Sequence, residues 1–326
     1  MARLRMGIVG AGNIASIAQL PSLVDRDDVE LTALVSRRED PSGLVRRWGF
    51  KAVHGSVEEM LERESLDAVF VLTPRSEHAA TVETCLRFGV DVFCEKPLAT
   101  STADAERLAD LADSLDRVVM VGLNRRYAPA YVAGREVFGE SGAQQCIAQK
   151  NRAGSEYRAT FENAIHMVDL LRWYCGGEPV SVAAHACGND EWEEDGASAL
   201  VQFDNGNVGV LVAARTAGAW EENLDAYGGG ASVHVQAPER LSVSRNGNTT
   251  TRDLSSEAFG WASATSTLGF RASVDHFIDC IREHRVPETS AREAAGTQAL
   301  LDRILAAAGL PTQEQEGRQW TSHATR

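Results

Sequence analysis

Lysine is scarce in this chain. Its 326 residues include three lysines, Lys51, Lys96 and Lys150, against 29 arginines. Basic residues as a class are outnumbered by acidic ones, and the net charge of −14 excludes nucleic acid and anionic membrane surfaces as expected partners. No apolar run approaches the ~20 residues that a membrane-spanning helix needs. The six cysteines are scattered, without a CxxC pair or metal-ligand spacing, so no metal site is expected. They read as reduced thiols of a cytoplasmic protein. No G-x-S-x-G elbow or other hydrolase pattern stands out. The opening "MARLRMGIVGAG" runs straight into a strand pattern, so no secretory leader is expected there. Within these bounds, 44% hydrophobic and 24% charged residues describe an ordinary globular protein, large enough for two domains.

Up to residue 123 two periods alternate. Short apolar runs occur at 5–10, 30–36, 68–73, 90–95 and 117–122, and helical patterns lie between them at 56–64, 77–89 and 101–115. Near-continuous apolar strands separated by helices predict a doubly wound parallel sheet of the Rossmann type. After residue 123 the pattern changes. A helix is expected at about 162–174, followed by alternating strands at 180–186, 197–203, 208–214, 231–237 and 240–245, and a helical region at 270–308. Asn205-Gly206 marks a hairpin turn. The expectation is therefore an α/β domain over 1–123 and an α+β domain over 124–326 with an open, mainly antiparallel sheet, whose last helices pack on either domain.

The loop "GIVGAGNIA" places Gly10, Gly12 and Ala15 in a G-x-G-x-x-A pattern after a strand and before a helix. Gly10 serves the tight turn, Gly12 the approach of a pyrophosphate, and Ala15 close packing. Asn13 and Ile14 complete the loop and are counted with it as cofactor-binding residues. At the end of the second strand, an NAD site usually carries an acid for the ribose 2′-OH. Ser36 stands there, followed by Arg37 and Arg38. A hydroxyl with two guanidinium groups suits a 2′-phosphate, so NADP is expected over NAD. Glu39 and Asp40 lie one or two residues too far along. The competing reading leaves both arginines solvated.

"TFENAIHMVDLLRWYCGG" (160–177) is apolar nearly all round from Ile165 to Tyr174, which predicts a buried helix. Yet Glu162, His166 and Asp169 form one stripe along it. Burying three ionisable groups costs several kcal/mol unless they are paired or face a wet cavity. The competing reading makes His166 a core histidine bonded to Asp169. Lys96 raises a similar question, because it ends an apolar run in "DVFCEKPLA" (91–99), between Glu95 and Pro97. Either it forms a structural ion pair with Glu95, or it serves a site at the carboxyl ends of the strands.

Together, "GAGNIA", "VFVLTPRSEHAATVETCLRFGVDVFCEKPLA", "GLNRRYAP" and the C-terminal 270–304 resemble the Gfo/Idh/MocA oxidoreductase family over most of the chain. The resemblance implies an NAD(P)-dependent oxidoreductase of sugars, polyols or related small molecules. It implies that Thr73, Pro74 and His78 line the cofactor, and that Glu95-Lys96-Pro97 places Lys96 beside cofactor ribose and substrate, often with a cis bond before the proline. It also makes His166 the catalytic histidine, with Asp169 supporting it. Glu162 stands where an aspartate is usual. Apart from the resemblance, Arg125, Arg126 and Tyr127 follow the last strand of the first domain, where Arg126 and Tyr127 are expected to reach the substrate; the competing reading gives all three a structural role. The resemblance further implies a homo-oligomer assembled through the open sheet.

Hydride transfer to a carbonyl leaves an alkoxide that needs a proton or a positive charge. Lys96 is expected to supply the charge and His166 the proton, with Asp169 orienting the imidazole. The rival functions are a non-catalytic dinucleotide sensor, an imine reductase and cofactor-assisted glycoside cleavage. Retention of Lys96 and His166 favours the enzyme.

Overall fold

The structure, a computed structural model, describes residues 2–38, 40–153, 163–188, 192, 194–238, 240–254 and 264–312. It divides into two compact units. The first holds the residues up to Leu123 together with Phe270–Ala295; the second holds Asn124–Gly269 and the residues from Gly296 on.

Runs of β-branched and aromatic residues build the first unit's sheet. Its strands are β1 (Leu4–Val9), β2 (Val29–Val35), β3 (Ala52–His54), β4 (Ala68–Val71), β5 (Asp91–Cys94) and β6 (Val119–Val121), in the order β3-β2-β1-β4-β5-β6. All pairs are parallel. Every residue of β4 and β5 is buried, as a sheet covered on both faces requires. Phe70 and Phe93 stack at 4.8 Å, and Phe277 meets both edge-on from the helix Phe270–Glu283. β3 breaks the sequence expectation of five strands. Three residues are too few to show a period.

The connecting helices are α1 (Leu20–Val24), α2 (Ser42–Trp48), α3 (Val57–Arg63), α4 (Arg75–Arg87) and α5 (Thr102–Ser114). Ser56 and Ser101 cap α3 and α5, their hydroxyls accepting from the amides of Glu59 and Asp104. Ahead of α1, Ala15–Gln19 is wound as a π-helix. The strand order reverses between β1 and β4. In sheets of this kind ligands bind beyond the carboxyl ends of the strands at that point.

The second unit is an eight-stranded sheet, β14-β13-β12-β11-β7-β10-β9-β8. Its strands are β7 (Gln145–Asn151), β8 (Pro179–Cys187), β9 (Gly196–Phe203), β10 (Val208–Ala214), β11 (Glu221–Gly228), β12 (Ala231–Gln236), β13 (Arg240–Arg245) and β14 (Asn248–Asp253). Only β7 and β10 pair in parallel. The helix α6 (Pro129–Glu136) packs against β12 and β13, and α7 (Ile165–Cys175) against β7 and β10. Alternation follows from this: in β9, Ala197, Ala199, Val201 and Phe203 are buried while Ser198, Leu200 and Gln202 are exposed. Strands β7, β11 and β14 were not expected from the sequence. Among the described residues, no helix is long and apolar enough to cross a membrane.

Candidate active site

In the first unit the chain ends β1 in a turn that only glycine fits. Gly10 has φ of 89°, and a Cβ there would stand 2.8 Å from the carbonyl oxygen of Leu72. The loop after β1 is thus pressed against the loop after β4. Gly12 is the opposite case: a Cβ there would meet nothing within 4 Å. Its outer side is open to an approaching group. The amide of Ser16 donates to the Gly12 carbonyl at 3.1 Å, starting the helical turns, and Ala15 is fully buried beneath them. Asn13 and Ile14 form the first of these turns.

The arginines after β2 take different partners. Arg38 donates to the Ala11 carbonyl at 3.4 Å, inside the glycine loop, and its amide donates to the Ser36 hydroxyl at 3.3 Å. Arg37 turns to Glu77 at the start of α4, in an exposed ion pair at 2.9 Å. Glu39 lies outside the described residues. Asp40 accepts from the amide of Ser42 at 2.8 Å, and the Ser42 hydroxyl first and this amide second hold its carboxyl below the usual carboxylate range.

Next to the loop, the ends of β4 and β5 are tied together by His78, from the first turns of α4. Its Nδ1 lies 2.6 Å from the Pro97 carbonyl oxygen and its Nε2 2.8 Å from that of Thr73. His78 is almost wholly buried, and Pro74 leads directly into its helix. The Lys96–Pro97 bond is cis. Glu95 is buried; its Oε1 accepts from Gln19 Nε2 at 2.7 Å and its Oε2 from the amide of Lys96 at 3.3 Å. Burial pushes this carboxyl above its ordinary range, while Gln19 and the charge of Lys96 pull the other way. Thr73 Oγ1 is buried with no hydrogen-bond partner among the described residues. A buried orphan hydroxyl, an open glycine edge and a guanidinium on the loop fit a dinucleotide.

In the second unit α7 is buried nearly all round, as its apolar sequence predicts, and His166 is buried within it. Glu162 lies outside the described residues. Asp169 is fully buried, and Arg126 grips it with two bonds, Nε to Oδ2 at 2.9 Å and Nη2 to Oδ1 at 2.6 Å. Thr297 adds its hydroxyl to Oδ1 at 3.0 Å. Arg126, expected either to reach the substrate or to serve structure, is a buried partner of Asp169. Asp169, expected to support His166, carries the ion pair that anchors their shared helix. Tyr127 is buried in the same 3-10 turn, Asn124–Tyr127.

A second network escaped the sequence analysis. Glu222 on β11 is buried and accepts from Arg125 Nε at 2.5 Å and Nη2 at 2.9 Å. Lys150 Nζ stands 3.0 Å away and Tyr131 donates at 3.2 Å. Burial opposes the charge of Glu222, but Lys150 and then Arg125 hold its carboxyl far below the ordinary range. Lys150 and Glu222 face each other directly in the β7–β11 register. Nothing in the local sequence marks either residue, since each depends on a partner 72 or more positions away. Among the described residues, no group of three or more His, Cys, Asp and Glu could hold a metal ion. All six cysteines are free.

Comparison with known proteins matches this geometry. An oxidoreductase family model with an NAD-binding Rossmann fold covers residues 4–123, and a GFO/IDH/MocA C-terminal domain model covers 136–234. YceM of Salmonella typhimurium is 31% identical over 314 residues, spanning 93% of this chain and 98% of its own. D-apiose dehydrogenase of Paraburkholderia graminis is 26% identical over 92% of this chain and 86% of its own. Two solved structures share the fold at 21% identity. One is a mutant of KijD10, a 3-ketoreductase from Actinomadura kijaniata in complex with TDP-benzene and NADP, with a TM-score of 0.78 over 94% of this chain and 98% of that one. The other is an oxidoreductase from Agrobacterium radiobacter with NAD+, L-tartaric acid and magnesium, with a TM-score of 0.84 over 94% and 97%. The glycine loop, the Glu95-Lys96-Pro97 turn and these matches lead to one conclusion: the chain is an oxidoreductase of the Gfo/Idh/MocA family, with an NAD(P)-binding Rossmann unit.

Proposed function

We propose that this oxidoreductase interconverts a hydroxyl and a carbonyl on a sugar, a polyol or a sugar-like small molecule, using NADP in preference to NAD. The observation that carries the reading is the turn at Lys96. The ends of β4 and β5 are fixed by His78, and Lys96 stands between a buried carboxyl and Pro97 at the carboxyl edge of the sheet. The names of relatives support the substrate class, D-apiose dehydrogenase among them.

When bound, the nicotinamide supplies or accepts the hydride. Gly10, Gly12, Asn13 and Ile14 would hold the pyrophosphate side, with Thr73, Pro74, His78, Glu95 and Pro97 shaping the rest. Ser36 and Arg38, with Arg37 behind them, would meet the 2′-phosphate. Known folds of this kind carry either cofactor, so the preference rests on these side chains. Lys96 stabilises negative charge on the reacting oxygen as an electrostatic group. His166 moves that oxygen's proton, in either direction. Arg126 and Asp169 are positioning residues that fix α7. Tyr127 and Glu162 are proposed to shape the substrate end.

The test is a screen of sugars, sugar acids and polyols for NADPH oxidation or NADP reduction. Turnover is expected with at least one of them, and its loss in Lys96→Met with cofactor binding kept. Cofactor binding without turnover on any substrate of the class would favour the sensor instead.

The second unit also supports a homo-oligomer. Leu200, Val210 and Ile147 lie side by side across three strands on the face opposite α7, and Leu200 is 45% exposed. Such a stripe suits a second copy. Light scattering at micromolar concentration is expected to give a dimer or tetramer, and a monomer would reject the assembly. Reduced thiols are proposed to match a cytoplasmic location.

A further inference from the structure

Gln19 touches Glu95 but has been given no role so far. It lies beyond the glycine loop, in helical turns that ought to be ordinary, and it is completely buried. Those turns are not ordinary: Ala15–Gln19 is a π-helix, an irregularity found mostly as single turns and often at functional sites. Its last residue aims an amide at Glu95, with Nε2 to Oε1 at 2.7 Å. The other end of that amide, Oε1, is buried without a hydrogen-bond partner among the described residues. A buried amide that leaves one atom unsatisfied costs stability, and the donor end of this one is spent on Glu95.

What it holds is a carboxyl fixed on three sides. Gln19 binds Oε1, and the Lys96 amide binds Oε2. On the third side a Cβ on Gly122 would come within 3.1 Å of Oε2, so glycine leaves the room the carboxyl needs. The groups that bear on this carboxyl electrostatically are Lys96 and His78, and it acts in turn on the buried thiol of Cys94. Shift the carboxyl, and both the backbone of Lys96 and the charge beside its ammonium shift with it. We propose that Gln19 is a positioning residue for Lys96, acting through the buried carboxyl of Glu95. The inference rests on the reading that Lys96 serves the reacting oxygen, but its geometry does not.

The scarcity of lysine makes the test direct. Reductive methylation with ¹³C-formaldehyde labels only three side chains besides the amino terminus, and Lys96→Arg assigns the Lys96 resonance. The protein is used without cofactor or substrate. Gln19→Met keeps the length of the side chain and removes the amide. The carboxylate it leaves is no longer held at Oε1 and can turn away from Lys96, so the ammonium loses negative charge nearby. Its resonance is expected to move and its titration to fall to lower pH, by about one pH unit, with the Lys51 resonance unmoved. Should this variant fail to fold, Gln19→Glu carries the test with opposite sign, since an added carboxyl moves the Lys96 titration to higher pH. A Lys96 titration superimposable on that of the unsubstituted protein, in either folded variant, overturns the proposal. Turnover of Lys96→Met tests the underlying catalytic reading separately.

Discussion

The two units hold their functional groups in opposite ways. Around Lys96 the ties are mostly polar contacts with the backbone: His78 lies within hydrogen-bond distance of two carbonyl oxygens and donates to one of them when neutral, Glu95 accepts from an amide, and Arg38 donates to a carbonyl. Atoms are left over, at the open edge of Gly12 and the orphan hydroxyl of Thr73. Around α7 the ties are buried ion pairs, Arg126 with Asp169, and Arg125 and Lys150 with Glu222. The adjacent arginines reach in two directions, one to α7 and one to the sheet beneath it. A surface that must accept and release a dinucleotide keeps polar atoms in reserve. A helix that must carry an imidazole through an apolar core is fixed instead by charges that satisfy one another.

The contrast predicts where substitutions act. The largest effect on stability is expected at the ion pairs. Asp169→Ala or Glu222→Ala leaves buried cations uncompensated and should cost about 3–5 kcal/mol in urea unfolding. A loss under 1 kcal/mol would mean that these charges reach water. Next come the two glycines. Gly10→Ala combines a left-handed backbone with a clash on Leu72 and should cost about 1–3 kcal/mol. Gly12→Ala should fold normally yet lose cofactor affinity, read by nicotinamide fluorescence. If both behave alike, the open edge is not the binding edge.

The pH dependence of stability comes third, and its sign follows from the depressed carboxyl of Glu222. Its stabilising contribution is complete above the unfolded value of about 4.3. Below that the unfolded chain takes up the proton first, so stability drains as pH falls towards the folded value. Glu222→Gln should flatten that part of the acid unfolding curve. The smallest effects belong to the arginines. Arg38→Ala should weaken NADPH about 10-fold relative to NADH, the value of one charged hydrogen bond. Arg37→Ala should do less, because its exposed pair with Glu77 contributes about 0–1 kcal/mol. Tighter binding of NADH by the unsubstituted protein would overturn the preference.

Most of the first unit was legible because strands buried on both faces are apolar without interruption. The second unit hid two strands for one reason. In β7 the inward residues are Cys146, Ala148 and Lys150, and in β11 they are Glu222, Leu224 and Ala226. A single buried ion pair thus broke the alternation of both strands at once. β14 is polar throughout and lies at the sheet edge, so it carries no buried face to read. The candidate residues of the glycine loop and of Glu95-Lys96-Pro97 were visible because their spacing is local. Gln19, Glu222 and Thr297 were not, because their partners lie 76, 72 and 128 positions away.

The central proposal is that Lys96 and His166 act on the same reacting oxygen. Once a substrate is found, the most direct measurement is turnover of Lys96→Met, His166→Ala and the double variant, each checked for fold by circular dichroism and for cofactor binding. Each single change should lower turnover by about 10²–10⁴-fold. Because the two groups work as a unit, the double change should cost far less than the product of the singles. A double variant that loses the full product, or a folded His166→Ala that keeps near-full turnover, would contradict it.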